Sequence, residues 1–339
     1  MAENILLIVV VAKNESRNIA RCLSSLGQDK APGWKKEVVV VDSLSSDNTL
    51  EEAEKFSSKI IQPQPSWPHS AGAGRYLGCL NSQGRYIFCI DADMRLKKRF
   101  LEKGINFMEE HPEAAAVAGI GQEVYIEKES VEARNKNMYL RDLKEVKEVK
   151  YLGGAALFRK EPLKKAGYFN PFLYAHEELE VCQKMRLAGG KIYTIPVEMT
   201  IHYTYSAAGM KRFKKQLKSN RFTGIGQMLR LSLTNGFFWE NVFKFRKILL
   251  SLFLIVLAAI LAPVFLATAN RPGLLTIAAG IIFLFFYLAV VKKSLVKAAL
   301  SLGKWIIILV MVIKGFFLTV RKRWEYPTEV KMVKRGSLE

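Results

Sequence analysis

The chain has 339 residues, half of them hydrophobic, and a formal net charge of +20. That length exceeds one minimal domain, and that apolar content excludes an intrinsically disordered chain. Up to Thr204 there are 29 basic and 27 acidic residues, whereas from Tyr205 onward 22 Lys and Arg face only 4 Glu. A basic excess gathered around apolar runs points to anionic membrane lipids rather than to nucleic acid.

Ile5–Ala12 is a continuous Ile/Leu/Val run, as expected of a parallel strand buried on both faces; it lacks the basic n-region of a signal peptide. A helix follows over Ser16–Leu26, with Ile19, Leu23 and Leu26 at helical spacing. Glu37–Val41 reads as a second strand ending at Asp42. Ser46–Phe56 reads as a helix with acidic early turns. Ser70–Gln83 is a small-residue helix, and Arg85–Ile90 a strand that ends at Asp91. Alternation at this spacing predicts a doubly wound α/β sheet. In such sheets ligands bind outside the carboxyl ends of the strands, so Asp42 and Asp91 are expected to face one crevice.

After Asp93 the pattern turns to α+β. Phe100–Glu110 reads as helix, Ala114–Val124 as strand and Val131–Lys150 as a charged helix. Tyr151–Phe158 is apolar and carries Gly153-Gly154; His176–Leu187 is a helix and Lys191–Ile195 a strand. Cys22, Cys79, Cys89 and Cys182 show neither a CxxC pair nor a His at metal spacing, as expected of reduced, buried thiols in a cytosolic domain.

Met210–Gln227 is basic and amphipathic, with Met210, Phe213 and Leu217 on one face, and reads as a linker on the membrane surface. Ile248–Ala269 and Gly273–Val291 contain no charged residue, and each would cross about 30 Å of hydrocarbon as a helix. Arg246-Lys247 and Lys292-Lys293 flank the pair while Arg271 alone lies between, which predicts a cytosolic N-terminal domain. Trp305–Val320 is shorter and contains Lys314, and is expected to lie in the membrane plane or re-enter; a third span is the alternative.

Asp91-Ala92-Asp93 at a strand end can hold a hard divalent cation and leave coordination positions for phosphate oxygens and water. Several stretches around it resemble the motifs of the family 2 glycosyltransferases, in that family's order and spacing over residues 4–204. Val11–Glu15 resembles a degenerate "P-x-Y-N-E", Val40–Thr49 "VDDGSxDxT", and Ala73–Gly78 "aRNxG". Gly84–Asp93 resembles "GxxixxlDaD", Gly153–Arg159 "GGaxxxxR", and His176–Gly189 "gEDxELxxRxxxxG". The resemblance implies a GT-A (Rossmann-like) nucleotide-sugar-binding domain.

It also implies roles. Asp42 is expected to accept a hydrogen bond from the nucleobase, with Glu15 and the backbone at Ala12 lining the same pocket. Arg75 would pair with the base edge or the diphosphate. Asp91 would approach the ribose or the metal, Asp93 would ligate the metal, and His202 is a further candidate ligand. Gly153 and Gly154 would let the backbone approach the donor sugar. Family 2 enzymes invert the anomeric centre, so a base must deprotonate the acceptor: Glu178, with Glu177 as alternate. The "QxxRW" element of processive synthases is absent, since Gln216–Phe222 holds only Gln and Arg at another spacing; that implies transfer of single sugars. The "GxGxRxxPxT" start of sugar nucleotidyltransferases is absent too.

These readings define residues 1–205 as the glycosyltransferase domain, 206–247 as an interfacial linker, 248–291 as a transmembrane hairpin, and 292–339 as an in-plane or third membrane helix with a basic cytosolic tail. The expected protein is a multi-pass enzyme of the cytoplasmic membrane. It would use Mn²⁺ or Mg²⁺ and move one sugar from a nucleotide sugar, a UDP-sugar foremost, to a lipid-borne acceptor. The alternatives are a polyprenyl- or dolichyl-phosphate glycosyl synthase, or a non-catalytic membrane scaffold that keeps the fold.

Overall fold

In a computed structural model of the chain, the structure describes residues 4–81, 84–127, 130–137, 143–205, 210–268 and 271–335. Two compact units separate: Met1–Gln216 together with Val320–Glu339, and Leu217–Thr319.

The first unit begins with β1 (Ile5–Ala12), α1 (Ile19–Gln28), β2 (Lys35–Asp42), α2 (Thr49–Glu54), β3 (Lys59–Gln62), α3 (Ala71–Leu80) and β4 (Tyr86–Asp91). It continues with β5 (Met94–Leu96), α4 (Phe100–Glu110), β6 (Ala114–Glu127), β7 (Ser130–Asn137), β8 (Lys147–Glu148) and β9 (Ala156–Arg159). Then come α5 (Lys160–Lys165), α6 (Glu177–Leu187), β10 (Lys191–Tyr205) and α7 (Met210–Lys218), whose last two residues belong to the second unit. The second unit holds α8 (Arg221–Ser232), α9 (Phe238–Ala267), α10 (Arg271–Lys292) and α11 (Leu295–Phe317). The chain then rejoins the first unit through a 3-10 turn at Arg323–Glu325 and β11 (Lys331–Lys334).

One mixed sheet runs β11-β3-β2-β1-β4-β9-β6-β10-β5, with β7 paired to β6 and β8 to β10. β3, β2, β1 and β4 are mutually parallel. The apolar runs of β1 and β4 are buried almost throughout, which is the reason they are continuous rather than alternating. Above β1, α3 packs unusually close. A Cβ on Gly78 would lie 2.3 Å from Val9 Cγ1, and one on Gly74 2.8 Å from Val11 Cγ1. These two glycines sink the helix and so set the depth of Arg75, which lies between them.

Several elements differ from the sequence reading. Val131–Lys150 is not a helix: β7 pairs antiparallel with β6 from Gln122↔Asn137 to Glu127↔Ser130, and residues 138–142 lie outside those described. Helix propensity is a weak preference, and a ladder offered by a neighbouring strand overrides it. Met210–Gln227 is not one surface helix. The chain breaks at Asn220, in the left-handed region at φ 52°, and α8 buries Phe222, Ile225, Met228 and Leu229. Within the second unit α8 lies directly on α11, where a Cβ on Gly226 would meet Val312 O at 2.0 Å and one on Gly315 would meet Thr223 O at 2.0 Å. Small residues at such crossings let two helix backbones touch.

Phe238–Phe265 and Ala298–Phe317 are long and apolar enough to cross a bilayer. The stretch expected to lie in plane thus has a spanning helix's length and composition; α10 carries the second expected span, Gly273–Val291.

The final segment also differs from a loose tail. β11 extends the sheet by antiparallel pairing with β3, as in Met332↔Ile61. Tyr326 is 1% exposed, donates its hydroxyl to Pro68 O at 2.7 Å, and meets Trp67, Tyr76 and Phe172 edge-on. Val320, Val330 and Val333 pack on the core.

Because α3 rests on β1 through glycine, Gly78→Val is expected to destabilise the first unit by about 1–3 kcal/mol or more. Gly27→Ala, where a Cβ meets nothing within 4 Å, serves as control. Urea unfolding of the full chain followed by tryptophan fluorescence checks this; equal midpoints for both variants would contradict the packing account.

Candidate active site

Parallel register brings the strand ends together, with Ala12 beside Asp42 and Val11 beside Asp91. Ala12 is buried, and its carbonyl accepts from the Ser43 N–H at 2.8 Å. Asp42 is buried as well; Gln62 Nε2 donates to it at 2.8 Å, the Ser45 N–H donates at 3.2 Å, and the Ser45 hydroxyl also donates. The adjoining loops are knitted through Asp47, which accepts from the Ser16 N–H at 3.2 Å and from the Thr49 N–H at 3.1 Å. Glu15 donates its N–H to Thr49 Oγ1 at 2.7 Å and accepts from Asn18 Nδ2 at 2.7 Å. Burial pushes the Glu15 carboxyl up to about 7, with Asn18 and Lys215 opposing and Asp93 and Asp91 adding to the rise.

Arg75 is 1% exposed and sits among carboxylates. Nη1 reaches Glu177 Oε1 at 2.5 Å and Glu178 Oε1 at 3.5 Å; Nη2 reaches Asp91 Oδ1 at 2.7 Å and the Gly154 carbonyl at 3.2 Å. The Phe169 ring lies 5.8 Å from its guanidinium carbon. The guanidinium expected to meet a nucleobase or a diphosphate is here paired with the protein's own carboxylates. A guanidinium withdrawn from water requires anionic partners, and here the protein itself supplies them. Gly154 is glycine because a Cβ would lie 2.6 Å from Asp91 Oδ2 and 3.0 Å from Arg75 Nη2. Its close approach is therefore to that ion pair; Gly153 beside it is half-buried.

The two adjacent glutamates at the start of α6 are unequal. Glu177 is buried against Arg75, whereas the Glu178 side chain keeps 21% of its surface exposed. Burial, then repulsion from Glu178, pushes Glu177 up to about 8 against the pull of Arg75. Asp91 is likewise pushed up to about 6 by burial, opposed by Arg75.

A second pair lies alongside. β10 runs antiparallel to β5 with His202 opposite Met94, and the Tyr203 N–H donates to Asp93 O at 2.9 Å. His202 Nε2 is 2.9 Å from Asp93 Oδ2. Burial lowers the His202 pKa, but the bond to Asp93 and its charge outweigh that and leave it raised. Among the described residues no three His, Cys, Asp or Glu side chains gather as a ligand set. The expected trio is thus divided, with Asp91 turned to Arg75. Asp93 Oδ1 and His202 Nδ1 are buried and make no hydrogen bond among the described residues. An orphaned carboxylate oxygen at a strand end fits a hard divalent cation.

Gln62 and the Arg323–Glu180 pair, in which Arg323 Nη2 donates to both Glu180 oxygens, have no role assigned from sequence, and Asp47 and Glu180 enter there only as motif letters. The β-branched and apolar content of Val330-Lys331-Met332-Val333-Lys334 was the strand signal available for the returning segment.

A mixed α/β sheet thus brings acidic strand ends up to a carboxylate-bearing helix. Residues 7–167 match the family model described as glycosyl transferase family 2. It is 30% identical over 107 residues to the poly(ribitol-phosphate) beta-N-acetylglucosaminyltransferase TarS of Staphylococcus aureus strain Mu50, covering 31% of this chain and 19% of TarS. It is 32% identical over 144 residues to the human dolichyl-phosphate beta-glucosyltransferase, covering 38% of this chain and 44% of that enzyme. The matched region thus spans less than half of either relative. The crystal structure of S. aureus TarS 1-349 in complex with UDP-GlcNAc superposes with a TM-score of 0.54 at 18% identity, covering 92% of this chain and 89% of that one. That likeness establishes the fold, which is GT-A.

Glu177 has its folded pKa raised from 4.5 to about 8, so its stabilising contribution is complete below 4.5 and is lost as pH rises through 8. The melting temperature of metal-free, nucleotide-free protein is expected to fall between about pH 5 and pH 9, and Glu177→Gln is expected to flatten that fall. An unchanged slope in the variant would refute the assignment.

Proposed function

We propose that the protein is a membrane-bound, inverting glycosyltransferase that moves one sugar from a nucleotide sugar to a lipid-linked acceptor. The observation that carries this reading is the crevice itself: Asp42 and Asp91 end the two strands that flank β1, Asp93 follows in the next turn, and the accessible carboxylate of Glu178 lies by the same Arg75 that holds Asp91. In this reading Ala12, Glu15 and Asp42 line the nucleoside pocket. Arg75 acts from within, holding Asp91 and the start of α6 in fixed relation. A UDP-sugar is the first donor to test, in keeping with the N-acetylglucosaminyl transfer named for TarS.

Asp93 and His202 would hold a divalent cation, Mn²⁺ or Mg²⁺. When bound, such an ion neutralises the charge that grows on a departing nucleoside diphosphate. The chain's own residues perform the rest. Glu178 accepts the acceptor's proton as its oxygen bonds to the anomeric carbon, while the bond from that carbon to the diphosphate oxygen breaks with its electron pair. Attack opposite the leaving group inverts the centre. Glu177, buried on Arg75, is unsuited to that role.

The acceptor is proposed to be lipid-borne because long apolar helices are fused to the domain. The helical unit leaves the first unit after Gln216 and returns to it at Val320, where β11 joins the sheet. A chain that leaves and re-enters one folded domain crosses a bilayer an even number of times. An even count is met by α9 with α10 or by α9 with α11; the charge-free run Gly273–Val291 of α10, against the lysines within α11, favours the α9–α10 hairpin, and the flanking charges favour a cytosolic catalytic domain. Cysteines placed after Thr268 and at Ser294 are expected to label from opposite sides of the membrane. Labelling from the same side would remove the hairpin.

The human relative named for dolichyl phosphate favours a second reading, in which an acceptor phosphate attacks directly. Nucleoside diphosphate release by detergent-purified protein, with UDP-, GDP- and dTDP-sugars, Mn²⁺ or Mg²⁺ and a lipid extract, tests both. Asp93→Ala is expected to abolish metal-stimulated release. Glu178→Gln is expected to lower kcat about 100-fold or more with a hydroxyl acceptor. Near-normal turnover of Glu178→Gln points to the phosphate acceptor, and silence of the wild type with every donor points to a scaffold.

A further inference from the structure

We propose that Arg323, in the segment that returns from the apolar helices, is a positioning residue for the base-bearing helix α6. The proposal rests on the glycosyl-transfer reading above. Glu180 lies three residues beyond Glu177 on α6 and is 2% exposed. Both of its carboxylate oxygens accept from Arg323 Nη2, while Arg323 Nη1 donates to the Ala166 carbonyl at 3.0 Å, just past α5. Gly167 follows with φ 80°, and a Cβ there would lie 3.1 Å from Arg323 Nη1. The backbone is thus shaped around the guanidinium. Lys184 stands 3.4 Å from Glu180 but is 36% exposed, and a partner so solvated holds little geometry.

The first turn of α6 has no side-chain cap bond at its N-cap, His176, which is itself in the left-handed region at φ 69°. Two arginines orient it instead: Arg75 at Glu177 and Glu178, and Arg323 one turn later at Glu180. A buried ion pair adds little net stability over an apolar pair of the same shape, so its value lies in geometry. The returning segment is otherwise firmly seated through Tyr326 and β11, so Arg323 works from a fixed base. It stands six residues beyond Phe317, the last residue of α11. The orientation of the proposed base is therefore set by the same short segment that ends the helical unit.

Steady-state kinetics of the full chain in detergent test this with Arg323→Lys, which keeps the buried charge but loses the planar fork. Its kcat is expected to fall roughly 10- to 100-fold, because displacing a catalytic group by about 1 Å costs that much. The donor KM should stay within about twofold, since no donor-contacting group has moved. Millimolar guanidinium ion is expected to restore part of the kcat of Arg323→Ala. Wild-type kcat in Arg323→Lys would overturn the proposal, as would a loss of kcat matched by donor KM and melting temperature, which marks a merely structural contact. If Arg323→Ala fails to fold, Arg323→Lys alone decides. Wild-type protein that transfers no sugar would instead overturn the glycosyl-transfer reading, and this proposal with it.

Discussion

One buried cation organises the crevice. Asp91 comes from a strand end, Glu177 and Glu178 from a helix about ninety residues later in the chain, and Gly154 from a loop between them; Arg75 binds all four. Without it, three carboxyl groups would converge in a medium that tolerates no isolated charge. Its own position depends on small residues. Gly74 and Gly78 let α3 descend onto β1, and Gly154 leaves room for the guanidinium beside Asp91. Glycine here is a matter of close approach rather than of backbone freedom.

That arrangement divides labour among chemically similar groups. Asp91 and Glu177 are consumed by the arginine, whereas Asp93 retains an oxygen with no partner among the described residues and Glu178 retains its exposure. Neighbouring acids that look interchangeable in the chain are made different by which of them the cation reaches. The groups left over are the ones with capacity to meet a ligand.

The returning segment gives the domain a second level of organisation. β3 would otherwise be the edge of the sheet; β11 covers it, and the same β3 contributes Gln62 to Asp42. An uncovered edge of this kind would offer unpaired backbone groups to other chains. The catalytic unit is therefore built from two stretches of chain separated by the apolar helices, and neither stretch alone presents the complete sheet.

The strand ends were legible in the chain because β1, β2 and β4 are apolar runs that stop at a polar residue, and period and length suffice to read that. The helix bearing Arg75 was legible too, from its small residues and its place after a strand. The depth of Arg75 was not, because its partners Asp91, Glu177 and Glu178 lie 16, 102 and 103 residues away and burial of a charge is decided by all of them together. Val131–Lys150 has helical composition but meets a strand, and the edge of β6 prevails over local preference. Arg323 sits in the basic run Arg321-Lys322-Arg323, and nothing local in that run distinguishes it; its partner Glu180 lies 143 residues away. Local pattern thus determined the class of fold, the resemblance to family 2 motifs and the order of the strand-end acids, since each depends on neighbours within a few residues. Only the tertiary structure decided which acids stay open, what Arg75 holds and where the chain's last strand goes, since each is a contact between segments that the sequence keeps far apart.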